Sequence, residues 1–300
     1  MDQNIAFCLI CGSAQLRKLT GYEKDHLVAC KGCSFVFSNR RPSKEELDTV
    51  YGGYSREVSR TRATLLKMEK TALWLKSISN AKRVIDIGCG DGEFLRIFKE
   101  LGCEVFGTEY DKKTEDICRG KGIIMLPGGV KPSMGDGQVP GSFDLALLTE
   151  VIEHINNPVD VIEHLACVLK RGGLLYVTTP NFAGIERRIL GAQWCMFAYP
   201  EHISYYSPTT LDLVLRNCGF EKVFIRTENI SVFRMIQFLN RRKESAGMSA
   251  QRDPEQVSAA AQNAVQNSKI LSLAKSMVNA MLNCTGTGTS LTAAYRLIGK

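Results

Sequence analysis

The chain has 300 residues, 44% hydrophobic and 23% charged, with a formal net charge of +7. This is the composition of a globular protein with enough apolar content for a sizeable core. No run of roughly 18 apolar residues occurs, so no membrane-spanning helix is predicted. The start, MDQNIAFCLICG, has no basic segment followed by an apolar run, so no secretory leader is expected. Between Met1 and Ala81, thirteen Lys and Arg face eight Asp and Glu, so this stretch carries +5 of the excess. That balance suits an anionic partner such as a nucleotide-linked substrate, and equally a plain basic surface. Eleven cysteines, an odd number, predict free thiols in a reducing compartment, and the cytoplasm is the expected location.

Two C-x2-C pairs open the chain, Cys8/Cys11 and Cys30/Cys33, with eighteen residues between them. Four thiolates at this spacing predict a closed tetrahedral zinc site. With every position taken by protein, the metal would be structural, folding a piece too small to hold a core alone. A redox dithiol would need only one such pair. Gly12 and Gly32 are read as easing the two tight knuckles. A short strand, Phe35 to Ser38, follows, then Pro42-Ser43 and Glu45-Glu46-Leu47 start a helix. Tyr51-Gly52-Gly53-Tyr54-Ser55 reads as a hinge, and apolar spacing predicts a helix over Ala63 to Ile78. Residues 1–40 are thus expected to form the zinc ribbon and 41–81 a helical linker or lid.

The run VIDIGCGDGEF, Val84 to Phe94, is the most informative stretch. An apolar strand ends in Asp86, passes through Gly88-Cys89-Gly90-Asp91-Gly92 and enters an amphipathic helix. Such a turn brings a ligand to the carboxyl end of a strand and the positive end of a helix. A dinucleotide fingerprint would read G-x-G-x-x-G. Here the spacing is G-x-G-x-G, flanked by Asp86, Asp91 and Glu93, whose charges repel a pyrophosphate but suit an amine and a sulfonium. A second strand, Val105 onward, ends in Glu109-Tyr110-Asp111.

These segments, in this order, resemble the class I S-adenosylmethionine (SAM)-dependent methyltransferases. The resemblance implies that Asp86, Gly88, Cys89, Gly90 and Gly92 form the cofactor turn and that Glu109, beside Tyr110, binds the ribose hydroxyls. It also implies an α/β fold, a doubly wound, mostly parallel seven-stranded sheet, over residues 82–300. The ribbon with its Pro-Ser-x-Glu-Glu-Leu helix looks like the N-terminal module of some sugar-modifying methyltransferases. The third strand, Ile123 to Leu126, ends in Pro127-Gly128-Gly129-Val130, where the family commonly has an Asp toward the adenine amino group. Backbone groups at Gly129 and Val130 are expected to serve instead, and Asp136 lies too far on.

A fourth strand, Ser142 to Leu148, runs into Thr149-Glu150-Val151-Ile152-Glu153-His154, followed by Pro158. This resembles the E-x-x-E-H-x-x-x-P signature of many small-molecule methyltransferases, including those of ubiquinone biosynthesis. By that resemblance Glu150 sits where the target atom meets the methyl group. His154 is either a general base or a loop-holding side chain. A helix over Val159 to Leu169 leads to a Lys170–Gly173 turn and a fifth strand from Leu174 to Asn181. Then come Trp194 and Tyr199-Pro200-Glu201-His202, ending in Tyr205-Tyr206-Ser207-Pro208, similar to the acceptor segment of sugar methyltransferases. Trp194, Tyr199, Tyr205 and Tyr206 are read as flat surfaces for a ring. His202, beside Glu201, is the favoured base.

Ser207-Pro208 predicts a helix start, Glu221 to Arg226 a sixth strand, and Leu291 to Leu297 a final antiparallel strand. A helical insertion over about 231–285 is expected between them, as an oligomer contact, lid or partner surface. The expected activity is methyl transfer from SAM to a small-molecule acceptor, a sugar or nucleotide-linked sugar, at oxygen or carbon, with structural zinc. An RNA methyltransferase and a non-catalytic SAM- or zinc-dependent interaction module are the alternatives. Modest charge and the acidic, aromatic acceptor loop weigh against nucleic acid.

Overall fold

The computed structural model describes residues 4–52, 60–127, 129, 131, 141–230 and 269–299. Val130, Asp136, residues 53–55 of the hinge and residues 231–268 of the insertion lie outside the described residues. The ribbon carries strands β1 (Leu16–Lys18), β2 (Leu27–Cys30) and β3 (Val36–Ser38). Helices α1 (Lys44–Gly52) and α2 (Arg62–Ser79) connect it to the main sheet. There follow β4 (Arg83–Ile87), α3 (Glu93–Glu100), β5 (Glu104–Thr108), α4 (Lys112–Gly120), β6 (Ile124–Met125) and β7 (Phe143–Thr149). The second half holds α5 (Pro158–Val168), β8 (Leu169–Pro180), α6 (Ile185–Leu190), β9 (Ser204–Tyr205), α7 (Pro208–Asn217), β10 (Phe220–Glu228), α8 (Lys269–Thr285) and β11 (Ser290–Leu297).

Seven strands form one sheet in the order β10-β11-β8-β7-β4-β5-β6. β4 pairs in parallel with β5 and β7, and β8 in parallel with β7, while β11 is antiparallel to both neighbours. The order reverses between β4 and β7, and the crevice outside the strand ends there is where open α/β sheets bind ligands. Strand alternation sorts the core into two layers. Ile85, Ile87, Phe106 and Val177 face α5 and α7 through Val161, Leu165 and Leu211. Val84, Val105, Leu145 and Leu174 face α2 and α3 through Leu75, Leu95 and Phe98. Asp86 follows Val84 at the alternation period and falls on the α2 side.

Two local expectations change. Lys170 to Gly173 is not a turn ahead of the strand but a bulge inside β8: the register passes from Phe143↔Leu169 to Leu145↔Leu174, so five residues oppose two. The third strand pairs only through Ile124 and Met125, because β6 is the sheet edge and bonds to β5 alone.

The ribbon sheet has four strands, β1-β2-β3-β9, and the fourth comes from the segment after β8. Val36 pairs with Tyr205 and Phe37 with Ser204. Phe35 and Phe37 are fully buried, and Phe35 packs against Tyr206 with ring centroids 5.1 Å apart. The ribbon and the segment carrying His202 therefore share one small sheet.

Candidate active site

The glycine turn is pinned to the end of β5. The Cys89 amide donates to the Thr108 carbonyl at 2.9 Å, the Gly88 amide to Thr108 Oγ1 at 3.2 Å, and the Gly90 amide to Glu109 Oε2 at 2.9 Å. Glu109 Oε1 accepts from the Tyr110 amide at 2.8 Å and the Asp111 amide at 3.3 Å. Gly90, at φ +54°, has no atom within 4 Å of where a Cβ would stand, so the turn is open at that residue. Gly92 answers to a different demand: a Cβ there would lie 2.4 Å from Ile123 Cδ1 and 3.0 Å from Cys118 Sγ. It is a packing glycine. Cys89 is buried and turns its thiol toward Cys118, 3.8 Å away, while Tyr110 is 61% exposed and bonds Asp48 at 3.3 Å.

A cavity of about 510 Å³ opens over this turn. It brings together Asp86, Gly88, Cys89, Gly90 and Glu150 of the expected residues. Asp86 is 2% exposed, and its Oδ1 has no hydrogen-bond partner among the described residues. Burial, with the Glu109 charge adding, pushes its carboxyl up to about 8. An orphaned buried carboxyl beside an open glycine turn fits the ammonium end of SAM, and strongly perturbed groups in clefts mark functional sites.

At the end of β7, Glu150 adopts φ +53°, the left-handed region that non-glycine residues rarely enter. Backbone strain of this kind gathers at functional sites. Its side chain is open to solvent in the cleft yet enclosed by the cleft walls, and this enclosure raises its carboxyl, with Thr178 and His202 opposing. Glu153 is 2% exposed and accepts from Thr179 Oγ1 at 2.9 Å. Burial, with the Glu150 charge adding, raises Glu153 well above the carboxylate range. Of the two neighbouring carboxyls, Glu153, the more deeply buried, is the one pushed up furthest.

His154 and His202 meet edge to face, ring centroids 4.8 Å apart. His154 Nδ1 lies 2.9 Å from the Glu201 carbonyl oxygen, and His202 Nδ1 lies 2.9 Å from that of Met196. A carbonyl only accepts, so each Nδ1 carries a proton, and in a neutral ring this leaves the lone pair on Nε2. Burial, then the neighbouring His202, lowers His154 and keeps it neutral. Glu153, His154 and His202 place ligand atoms within 4.8 Å of one another, so the same trio has a metal-type donor set.

The acceptor aromatics are corrected by burial. Trp194 is 1% exposed, Tyr205 4% and Tyr206 0%, because the segment folds under the ribbon and packs against Phe197 and Phe35. Only Tyr199 of the four stays partly open, set edge to face on His26 at 4.9 Å.

The four ribbon cysteines also converge. Cys8 and Cys33 Sγ are 3.5 Å apart, as are Cys11 and Cys30, and all four lie within 4.8 Å of one another. Zinc–sulfur bonds of about 2.3 Å in a tetrahedron put sulfurs about 3.8 Å apart, so the donor set fits zinc. The left-handed knuckle positions are Gly12 (φ +71°) and Ser34 (φ +63°), each following its second cysteine; Gly32 does not take that role.

Several cleft residues were missed from sequence. Arg60 makes a two-pronged ion pair with Asp91, at 2.5 and 2.8 Å, across the mouth of the glycine turn. Tyr176 and Thr178 alternate along β8 toward the cleft, and Lys67 of α2 and Arg226 of β10 join them. Period-two spacing at the end of a buried strand is the signal that points to Tyr176 and Thr178. Nothing local marks the others.

The chain matches the family model described as a methyltransferase domain over residues 56–224. It is 30% identical over 152 residues to a ubiquinone biosynthesis O-methyltransferase of Xanthomonas euvesicatoria, covering 46% of this chain and 62% of that protein. A ubiquinone biosynthesis O-methyltransferase of Cupriavidus pinatubonensis is 25% identical over 183 residues, 56% of this chain and 72% of that protein. The chain thus spans less than two thirds of the first of these relatives. A SAM-dependent methyltransferase from Archaeoglobus fulgidus shares the fold, with a TM-score of 0.51 at 18% identity over 83% of this chain and 97% of that one. With its domain matched over more than half its length, the chain belongs to the methyltransferase-domain family, among the class I SAM-dependent methyltransferases.

Proposed function

We propose that the protein transfers the methyl group of SAM to a hydroxyl of a small-molecule acceptor, a sugar or nucleotide-linked sugar. The observation that carries the cofactor side is Asp86, a buried carboxyl with an unpaired oxygen lining a cleft over an open glycine turn. In this reading Asp86, Gly88 and Gly90 hold the methionine end, and Glu109 accepts from the ribose hydroxyls. When bound, SAM supplies an electrophilic methyl on a sulfonium. Glu150 marks the acceptor side, and His202 Nε2, its tautomer set by the Met196 carbonyl, takes the acceptor proton. Positioning of acceptor and donor in line does much of the rest. Oxygen as the target is supported by the relatives, which are ubiquinone biosynthesis O-methyltransferases. A hydroxyl-rich acceptor is supported by Thr178, Glu228, Ser290 and Thr292 along the cleft wall. The ribbon thiols would hold one structural zinc, leaving it no catalytic position.

Calorimetric titration with SAM, with zinc counted on the same sample, tests this first. Micromolar binding and about one zinc per chain are expected, followed by methylation of a nucleotide sugar in a panel screen. A folded, zinc-loaded protein that ignores SAM would overturn the reading.

A further inference from the structure

A second depression lies against the cofactor cleft, between α2 and β10. Its volume is about 770 Å³, and Arg62, Lys67, Lys70 and Arg226 line it with no carboxylate among its lining residues. None of these four makes an ion pair among the described residues, whereas Arg60 of the adjoining cleft is paired with Asp91. Four cations with no ion pair among the described residues repel one another across one groove, and an anion that enters it relieves that cost. The groove is built, not merely charged. The Arg226 guanidinium lies 5.1 Å over the Phe224 ring, which Trp74 meets edge to face at 5.1 Å. Stacking fixes the guanidinium plane, which suits two-pronged contact with phosphate oxygens. Trp74 and Leu66 remain 38% and 45% exposed on the α2 side, a flat apolar surface beside the charges.

The groove opens into the methyl-transfer cleft: Lys67, Thr71, Trp74 and Arg226 line both. The Lys67 charge is felt at Glu150, where it opposes the rise of that carboxyl. A ligand held by its phosphates here has its remaining part directed into the wall of hydroxyl and carboxylate groups beside Glu150.

We propose that this groove is the diphosphate subsite for the acceptor: Arg62, Lys67, Lys70 and Arg226 grip the diphosphate of a nucleoside-diphosphate-linked molecule, and Trp74 carries its nucleoside. The proposal rests on the small-molecule reading above and narrows the acceptor to an anionic, phosphate-bearing class. Trp74 supplies a direct signal. Of the two tryptophans, Trp194 is 1% exposed and Trp74 is 38% exposed, so added ligand acts on Trp74 fluorescence.

The test titrates the full-length, zinc-loaded protein, saturated with SAM, with uridine diphosphate and with inorganic pyrophosphate at fixed ionic strength. Fluorescence and calorimetry read the binding. The paired substitution Arg62→Gln and Lys70→Gln alters two exposed side chains that line the groove alone. The proposal expects both probes to bind, uridine diphosphate the more tightly, and the double variant to weaken both at least tenfold with SAM affinity within twofold of the parent. Pyrophosphate binding as tightly as the nucleotide would remove the nucleoside from the proposal. Neither probe binding, or the double variant binding them as the parent does, overturns it. So does a variant that loses SAM instead, since the groove would then hold the cofactor carboxylate. Failure of the parent to bind SAM at all defeats the broader reading, and a thermal melt of the variant separates both from misfolding.

Discussion

Gly90 and Gly92 stand two residues apart in one turn, yet alanine at each should fail in a different way. At Gly92, alanine must adopt φ +73° and place its Cβ 2.4 Å from Ile123 Cδ1 and 3.0 Å from Cys118 Sγ, both on buried residues. The left-handed backbone costs about 1–2 kcal/mol for a residue with a Cβ, and overpacking a tight core costs about 1–3 kcal/mol. Together they predict a loss of about 2–5 kcal/mol, a large share of the roughly 5–15 kcal/mol that holds a domain folded. At Gly90 nothing lies within 4 Å, so only the backbone term remains, about 1–2 kcal/mol. The new methyl there stands in the open cleft that lines the proposed cofactor site. Urea denaturation and calorimetry with SAM, run on both variants, separate the two effects. Gly92→Ala should lose stability while its folded fraction binds SAM as before. Gly90→Ala should stay folded and bind SAM at least tenfold more weakly. A Gly92→Ala protein as stable as the parent would refute the packing argument, and undiminished SAM binding by Gly90→Ala would refute the placement of the cofactor.

Asp86 makes stability depend on pH in an unusual direction. Its folded pKa of about 8 lies above the ordinary 3.8, so the folded state holds an extra proton between those values and stability falls as pH rises through that window. At about 1.4 kcal/mol per pH unit the effect reaches several kcal/mol at most, and Asp86→Asn should flatten it; equal denaturant midpoint shifts between pH 5 and 9 in both ligand-free proteins would contradict this. His202→Ala should cut turnover on the identified acceptor about 100-fold or more with SAM affinity kept, and a variant with full turnover means the base is elsewhere. His154→Ala should act on stability, by about 1–3 kcal/mol, because it strips a half-buried bond from the Glu201 carbonyl; unchanged melting with lost turnover would reverse the two histidine roles. Zinc removal by a chelator should release about one ion per chain and speed amide exchange at Ser38 and Ile203; exchange confined to the ribbon knuckles would show that the two halves are not coupled.

What could be read from the sequence was local. The strand, glycine turn and helix around Asp86 carry their signal within eleven residues, and the four cysteines carry theirs in spacing alone. What escaped depends on contacts between distant segments. Arg60 meets Asp91, Lys67 and Arg226 come to one cleft from α2 and β10, and no residue type near them announces it. The aromatics were misjudged for the same reason: Trp194, Tyr205 and Tyr206 look like ring-stacking surfaces until β9 pairs with β3 and buries them. Gly32 was favoured for a knuckle because glycine is the usual left-handed residue, but Ser34 takes that position, one residue after the last cysteine as Gly12 is after Cys11. The bulge at Lys170 to Gly173 carried turn residues and was read as a turn; only the pairing of Phe143 with Leu169 shows that the strand has already begun.

The shared strand also ties the N-terminal segment to the candidate site. A two-residue strand such as β9 does not hold its place alone. It is held by β3, by the bond from the Ser38 amide to the Ile203 carbonyl at 2.8 Å, and by Tyr206 against Phe35. From β9 the chain of contacts runs directly into the site. The Ile203 amide donates to the Glu153 carbonyl at 2.9 Å, Tyr205 donates to the His202 carbonyl at 2.9 Å, and the Glu201 carbonyl fixes His154. The glycine turn has no such link to the N-terminal segment's sheet among the described residues, being tied to β5 through Thr108 and Glu109. Loosening the ribbon should therefore displace His202 and the Glu150–Glu153 pair while leaving the SAM turn intact. On the proposed reading the four thiols, far from the chemistry in sequence, would set the geometry of the acceptor half alone.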